Sequence, residues 1–421
     1  MLTAIVGINW GDEGKGRMVD LLSGDQQIVV RYQGDHSSEH TIVTEQGRFV
    51  LNLLPAGILR PDVVCVMGNG MAIDPAHLES EIASLLERGI LVSPDRLKIS
   101  DRAPVILPYH IATEQYELKR QGGDARRSCG VSAVYGDRAL NLAIRMGDLL
   151  HPAYLRARLE KALGYKNAVI RGVYDGETVT VDEVVSYALG YGETFRDYIC
   201  DTGLYLKEAA ERGMNILFEA PQGALRDVEF GVYPYTCSSS TLAAYATVGG
   251  GVPGLKLDHT IGVLKSFSSM VGSGPFVSEL FGEEAEHLME TGNEAAEKIS
   301  HIHRIGAFDA VASRYGVELQ GADELALTKL DTLSYLDVIP VCVAYEIDGV
   351  RIDRFPVGAD LERAKPIIEY VEGWKSDVSE CRNPADLPVG ALTYVKYIEH
   401  LVGCHISYVS VGAERESFIR L

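Results

Sequence analysis

A glycine-rich loop near the N-terminus joins an apolar run to a helix-like run. LTAIVGI leads into Gly7-Ile-Asn-Trp-Gly-Asp-Glu-Gly-Lys-Gly16, and the helix-like run is KGRMVDLL. Glycines let backbone amides approach phosphate oxygens, the start of a helix offers unpaired N–H groups, and Lys15 adds a positive charge. We therefore expect a strand–loop–helix unit that binds phosphates.

The string differs from the common P-loop pattern of nucleoside triphosphatases. Asn9 stands where that pattern has glycine, and Gly16 stands where it has serine or threonine. The string also contains two acids, Asp12 and Glu13, which repel phosphates unless a metal ion or a proton transfer employs them. A glycine-rich turn without a ligand is the alternative interpretation, and the two acids weigh against it.

Short apolar runs alternate with helix-period stretches along the rest of the chain. Apolar runs include IVVRYQ, VVCVMG, NILFEA and VIPVCVAYEI, and helical stretches include AHLESEIASLLERGI and YICDTGLYLKEAAERG. The alternation predicts an α/β fold with a large, mostly parallel central sheet and flanking helices. No linker rich in Pro, Gly or Ser interrupts the chain, so we expect a single domain over residues 1–421 with inserted helical subregions at about 100–210.

Charge and composition narrow the possible partners. The formal net charge is −20, and such a surface repels nucleic acids and anionic membranes, so we expect neither as a partner. No apolar run approaches the roughly 18 residues of a membrane-spanning helix, and no secretory signal is expected. The 7 cysteines are scattered without CxxC spacing, which indicates a reducing compartment and a cytoplasmic location.

A second motif, TKLDTL, follows an apolar run near residue 328. The carboxylate of Asp331 can accept hydrogen bonds from N1–H and the exocyclic amine of guanine, while the stem of Lys329 packs over the ring. Adenine lacks this pair of donors. Next to a phosphate-binding loop, the motif therefore predicts GTP rather than ATP.

Taken together, several strings resemble the adenylosuccinate synthetase family. They are VGINWGDEGKGRMVDLL, GDHSSEHT, VLNLLPAGILRPDVVCVMGNGMAIDP, FEAPQGALRDVEFGVYPYTCSSST, GSGPFVSEL, LALTKLDTL and SVGAERES. The resemblance runs in order from residue 5 to about residue 417. It implies a parallel-sheet α/β fold, a homodimer, magnesium, and a GTP-dependent ligase of purine biosynthesis. In that family GTP phosphorylates the 6-oxo group of IMP, and the amine of aspartate then displaces the phosphate.

The resemblance also implies roles for individual residues. Asp12 matches the catalytic base and a magnesium ligand, the backbone carbonyl of Glu39 matches a second magnesium contact, and His40 matches the residue that donates to the transferring phosphoryl group. The residues assigned to GTP are Glu13, Gly14, Lys15, Gly16, Thr41, Lys329, Asp331, Ser410 and Gly412.

Positions assigned to the purine substrate depart from the family pattern. The family loop GGHNAGHT is GDHSSEHT here, so that Ser37 replaces an asparagine that meets the IMP phosphate. Arg126 and Arg127 replace two threonines, of which one binds the same phosphate, and Cys237 replaces a further threonine. Gln222, which meets the base, is retained.

The loop that holds aspartate departs further. The family string GATTGRRRRTGW becomes residues 296–307, with Lys298, His301, His303 and Arg304 as the remaining basic side chains. Arginine binds a carboxylate with two parallel hydrogen bonds, which histidine cannot reproduce. We expect weakened binding of aspartate.

Three hypotheses follow. In the first, the chain is an adenylosuccinate synthetase in which Arg126 and Arg127 take over the phosphate. In the second, a paralogous ligase activates another heterocycle or joins another amine. In the third, the chain is a nucleotide-binding pseudoenzyme, which the retention of Asp12, Lys15 and His40 argues against.

Overall fold

The computed structural model describes residues 1–125, 128–292 and 303–421, and its centre is a ten-stranded sheet within those ranges. The strands of this sheet are β1 (Leu2–Gly7), β2 (Ile28–Arg31), β5 (Val64–Met67), β6 (Leu97–Ser100), β7 (Ile199–Cys200), β8 (Ile216–Glu219), β9 (His259–Lys265), β13 (Glu324–Thr328), β17 (Ile406–Ser410) and β18 (Phe418–Arg420). Their order is β18-β17-β13-β9-β1-β8-β2-β5-β6-β7. All neighbours run parallel except β17 and β18, which confirms the predicted mostly parallel sheet.

Smaller sheets flank the central one. Their strands are β3 (His40–Thr44), β4 (Gly47–Leu51), β10 (Ser268–Val271), β11 (His303–Gly306), β12 (Phe308–Asp309), β14 (Val338–Ile347), β15 (Val350–Ile352) and β16 (Lys365–Glu372). The pairs β3–β4 and β10–β11 are antiparallel, and β14 joins β12, β15 and β16 into a separate sheet. The apolar run VIPVCVAYEI therefore lies in this side sheet and not in the central one.

Helices cover both faces of the central sheet. They are α1 (Lys15–Leu22), α2 (Pro75–Glu87), α3 (Pro108–Arg120), α4 (Val131–Ala139), α5 (Pro152–Tyr174), α6 (Val181–Thr194), α7 (Thr202–Glu211), α8 (Ala246–Gly250), α9 (Glu283–Thr291), α10 (Ala310–Gln320), α11 (Ala359–Arg363) and α12 (Val389–Val402). Helices α3 to α6 fall between β6 and β7, the region predicted to hold inserted helices. The division into domains stays a prediction.

Strand β1 shows why the sheet needs cover on both sides. Its side chains alternate: Ile5 packs with Met18 and Val19 of α1, whereas Ala4 and Val6 pack with residues of α7 and α8. Every residue of β1 is buried. A parallel strand that is buried on both faces has a continuous apolar sequence, as LTAIVGI does.

Helices α2, α6, α7 and α10 begin after a capping side chain. Asp74 accepts N–H bonds from Ala76 and His77 at the start of α2, with Pro75 in the first helical position. Asp201 caps α7, so the stretch predicted to be helical from Tyr198 forms β7 first and becomes helical at Thr202. No described helix is long and apolar enough to cross a membrane. The cysteines, all of which lie in the described ranges, are free.

Candidate active site

The predicted residues meet at the carboxyl edge of the central sheet. Strands β13, β9, β1, β8 and β2 are consecutive neighbours, so the loops that follow them share one edge. Open α/β sheets bind ligands at this edge. The glycine-rich loop follows β1, and the loop that leads to His40 follows β2. Gln222 follows β8, and Lys329 and Asp331 follow β13.

The glycine-rich loop is organised by the side chain of Glu13. This buried carboxylate accepts the N–H groups of Asn9 at 3.1 Å and Gly11 at 2.8 Å, and it pairs with the ammonium group of Lys15. Gly14 adopts φ 91° and forms the N-cap of α1. The charge of Glu13 is thus neutralised within the loop, which explains how an acid is tolerated beside a phosphate site.

Two glycines allow neighbouring loops to approach this one closely. A Cβ atom on Gly7 would lie 2.5 Å from the carbonyl oxygen of Gln222, and one on Gly16 would lie 2.6 Å from Cβ of His40. No side chain larger than hydrogen fits at either place without displacement of the neighbour. The glycines therefore bring the loop against Gln222 and His40.

His40 is held by a buried carboxylate at the end of β8. Its Nδ1 atom contacts Oε1 of Glu219, and Oε2 of Glu219 accepts the N–H of Ala56 at 2.8 Å. Burial lowers the pKa of His40, against the opposing charge of Glu219. Burial alone would raise the pKa of Glu219, but His40 and Arg31 outweigh it and the pKa lies below its usual value. The pair therefore places an ionised carboxylate next to the imidazole.

Sequence analysis missed Glu219 and Arg31. Arg31 is fully buried at the end of β2, where its guanidinium donates to the carbonyl oxygens of Asn52 and Asp35, the latter at 3.0 Å. Both residues stand at the last position of an apolar strand, IVVR or ILFE. A charged residue at the end of an apolar strand could have indicated a site residue, because ionised side chains are rarely buried without a partner.

The residues predicted to bind guanine, Lys329 and Asp331, lie in the loop after β13. Lys329 adopts φ 60°, and its Nζ atom donates to the carbonyl oxygen of Gly292 at 2.5 Å. Oδ1 of Asp331 is buried and has no hydrogen-bond partner among the described residues. Burial raises the pKa of Asp331, while Lys329 and Arg17 oppose this shift. A buried acceptor without a partner fits a base that presents N–H donors.

Arg17 joins this loop to Ser410 and Gly412. Its guanidinium donates to Oγ of Ser410 at 2.7 Å and to the carbonyl oxygens of Gly412 and Glu414, the latter at 2.6 Å, and it packs 4.3 Å from the ring of Phe418. The structure thus brings Ser410 and Gly412, two further residues predicted to bind GTP, into the same region. Arg17, in the first turns of α1, was not predicted from the sequence.

The substrate-side loop is linked to Gln222. Oγ of Ser37 donates to Oδ1 of Asp35 at 2.7 Å, and Nε2 of Gln222 donates to Oγ of Ser38 at 3.0 Å. Nδ2 of Asn52 also donates to the carbonyl oxygen of Ser38, at 3.2 Å. The loop after β2, which carries Ser37, is thus hydrogen-bonded to Gln222 after β8. Both Ser37 and Gln222 are predicted to meet the purine substrate.

Cys237 and Thr41 are the next predicted residues. The Sγ atom of Cys237 lies 2.8 Å from the carbonyl oxygen of Arg226 and 3.2 Å from that of Ser239, so its one S–H can donate to either, and burial raises the pKa of the thiol. Thr41 is exposed on β3, where it pairs with Val50, while the adjacent His40 is buried. Alternate residues of a strand point to opposite faces, so the contact of Thr41 with GTP stays a prediction.

The loop predicted to hold the amine substrate is described only in part. Arg126, Arg127, Lys298 and His301 lie outside the described residues. His303 begins β11, and Arg304 follows it. The guanidinium of Arg304 forms two hydrogen bonds with Glu279 and donates to the carbonyl oxygen of Gly274 at 2.6 Å.

The predicted magnesium ligands are oxygen donors on two site loops, the one between β1 and α1 and the one between β2 and β3. Asp12 adopts φ 59° directly after Gly11, and Glu39 precedes His40. Within the described ranges, no group of three or more His, Cys, Asp or Glu side chains could hold a metal ion. A carboxylate and a backbone carbonyl fit Mg²⁺, which prefers hard oxygen ligands and commonly shares its coordination with nucleotide phosphates.

Known proteins resemble the whole chain. The adenylosuccinate synthetase family model matches residues 4–419. The adenylosuccinate synthetase of Caldanaerobacter subterraneus is 41% identical over 100% of this chain and 99% of its own length. That of Rhodococcus jostii is 42% identical over 99% and 97%. A solved structure of fully ligated adenylosuccinate synthetase from Plasmodium falciparum has a TM-score of 0.91 at 29% identity, over 100% of this chain and 99% of that one.

These relatives confirm the resemblance and the fold predicted from the sequence. They give no support to a ligase with other substrates or to a pseudoenzyme. The chain therefore belongs to the adenylosuccinate synthetase family and is a GTP-dependent ligase that forms a carbon–nitrogen bond.

Proposed function

We propose that the protein converts IMP, L-aspartate and GTP to adenylosuccinate, GDP and phosphate. The convergence of the glycine-rich loop, the His40–Glu219 pair and Asp331 at one sheet edge carries this proposal. A lactam oxygen is a poor leaving group, and phosphorylation turns it into a good one. The amine then attacks C6 and phosphate departs with the former oxo oxygen.

The first step needs a base and a stabiliser of phosphoryl charge. Asp12, within the glycine-rich loop, removes the N1 proton of IMP as the oxo group attacks the γ-phosphate. Lys15 and the amides at the start of α1 hold the phosphates. Glu219 stabilises the protonated form of His40 while negative charge develops on the transferring group. When bound to Asp12 and the carbonyl of Glu39, Mg²⁺ supplies further neutralisation of phosphate charge.

Selection of GTP follows from Asp331. Its carboxylate, whose Oδ1 is buried without a partner among the described residues, accepts from N1–H and the exocyclic amine of guanine, and adenine offers no such pair. Thr41, Ser410 and Gly412 are assigned to the same nucleotide. An acceptor that is buried without a partner costs free energy until a donor arrives, which favours guanine.

The other two substrates are assigned to the remaining loops. Gln222 is assigned to the purine base, and the phosphate of IMP is assigned to Ser37, Arg126, Arg127 and Cys237. Lys298, His301, His303 and Arg304 are assigned to aspartate. A homodimer and a cytoplasmic location belong to the same proposal, supported by the family resemblance and by the free cysteines.

A steady-state assay tests the proposal. Purified protein with IMP, L-aspartate, GTP and magnesium should form adenylosuccinate and release one phosphate per product, and ATP should support far slower turnover. His40→Asn should remove most of the activity while GTP still binds. Absence of product with these substrates, at protein concentrations that bind GTP, would refute the proposal.

A further inference from the structure

Arg226 occupies a distinctive position beside the site. It ends the short 3-10 turn Ala224–Arg226, four residues after Gln222 along the chain. Its guanidinium donates to the carbonyl oxygen of Tyr235 at 2.6 Å and to that of Val271, the last residue of β10. The side chain therefore bridges the loop after β8 to the turn that precedes the amine-substrate loop.

Arg304 contacts the other end of the same turn. Arg226 donates to Val271 and Arg304 donates to Gly274, so the two guanidinium groups flank residues 271–274. Glu279 neutralises Arg304 with two hydrogen bonds. In the described part of the chain, the hydrogen bonds of the Arg226 guanidinium go to backbone carbonyls and none goes to a carboxylate.

The electrostatic surroundings of Arg226 also differ from those of Arg304, which pairs with Glu279. Burial lowers the pKa of Arg226, and Cys237 and then Asp12, the residue assigned as the base, act in the opposite direction. A largely desolvated guanidinium is costly without an anionic partner. The guanidinium also has N–H donors beyond the two that bind carbonyls, and it presents them with a geometry suited to a carboxylate.

We propose that Arg226 binds a carboxylate of the amine co-substrate and determines specificity for a carboxylated amine. The inference rests on the proposed function, because it places that co-substrate between Asp12 and the 271–274 turn. Two backbone carbonyls fix the guanidinium, so little conformational entropy is lost when the carboxylate binds. Arg226 thereby supplies a guanidinium for the carboxylate in place of the arginines that the family string has and residues 296–307 lack.

Arg96 provides a matched control. It also donates to backbone carbonyls, those of Leu91, Ile58 and Arg60, but it lies before β6, at the opposite edge of the sheet. Arg96→Met should lower the thermal midpoint and leave the Michaelis constants unchanged. A purely structural role for Arg226 predicts the same behaviour for Arg226→Met.

Our inference predicts a different result for Arg226→Met. The KM for L-aspartate should rise about 10- to 100-fold, since a charge-assisted hydrogen bond is lost, while the KM values for GTP and IMP stay near those of the wild type. Arg226→Lys should retain part of the affinity. An unchanged KM for aspartate, in a wild-type enzyme that turns over IMP and aspartate, would overturn the inference and leave the proposed function intact.

A binding measurement decides the matter without turnover. Succinate has the carboxylates but no amine, so it cannot react. Calorimetric titration of succinate into protein saturated with GDP and magnesium should show about 10- to 100-fold weaker binding to Arg226→Met than to the wild type and to Arg96→Met. Equal affinity for all three proteins, including no binding to any, would overturn the inference even if the wild type fails to make adenylosuccinate.

Discussion

His40 contacts Glu219 through Nδ1 and Oε1, and both side chains are almost entirely removed from solvent. The contact fixes the imidazole ring and directs its Nε2 atom away from Glu219. Since His40 begins β3 and packs on Gly16, the contact joins β8, β3 and the glycine-rich loop.

Glu219→Gln should lower kcat about 100-fold and leave the KM for GTP within about twofold. The amide keeps an acceptor for the N–H of Ala56 but loses the charge that stabilises protonated His40. Steady-state kinetics measure both constants. Glu324→Gln is the matched control, because Glu324 pairs with His259 at 2.9 Å at the opposite edge of the sheet. Equal losses in both variants would contradict this role.

Gly16→Ala should reduce activity at least about 100-fold, since the new methyl group would lie 2.6 Å from Cβ of His40 and displace it. Gly164→Ala, inside α5, meets no atom within 4 Å and should stabilise the fold by about 0.5–1 kcal/mol without loss of activity. Paired kinetic and thermal measurements check both. Wild-type activity in Gly16→Ala would show that the close approach is dispensable.

Asp331→Asn should lower kcat/KM for GTP and raise kcat/KM for xanthosine triphosphate. The asparagine amide donates where the carboxylate accepted, and xanthine carries an oxygen where guanine carries an amine. We expect a loss of about 10- to 100-fold in kcat/KM for GTP. Comparison of the two nucleotides and ATP tests this, and an unaltered preference for GTP would remove Asp331 from base recognition.

Asp309 should make stability pH-dependent. Burial raises its pKa to about 6 from the ordinary value of 3.8, while it caps α10 and accepts from the hydroxyl of Tyr345 at 2.8 Å. Because the folded pKa is the higher one, its contribution is present below pH 3.8 and is lost as pH rises through about 6. The free energy of unfolding of the wild type, relative to Asp309→Asn, should fall by about 3 kcal/mol over this interval. A constant difference between the two proteins would contradict the assignment.

The sequence predicted the fold class because its signals are local. Continuous apolar runs such as LTAIVGI and helical periodicity in α2 specify buried strands and amphipathic helices. VIPVCVAYEI looked the same as a central strand, yet it pairs with β16 in a side sheet. Pairing partners depend on contacts between distant segments, which periodicity does not encode.

Site residues that belong to a sequence motif could be predicted. Site residues that act through tertiary contacts could not. Lys15 and Asp331 stand in recognisable strings. Glu219, Arg31 and Arg17 act through partners that are distant in the sequence, such as the link from Arg17 to Ser410. Glu13 was assigned to the nucleotide, and its carboxylate accepts the amides of its own loop.

The central claim is that GTP phosphorylates the oxo oxygen of IMP before the amine displaces it. Turnover of IMP that carries ¹⁸O at C6, followed by mass spectrometry of the released phosphate, tests this claim most directly. The account predicts that the ¹⁸O appears in phosphate in proportion to the adenylosuccinate formed, and that Asp12→Asn abolishes the transfer while GTP still binds. Product formation with unlabelled phosphate would contradict it.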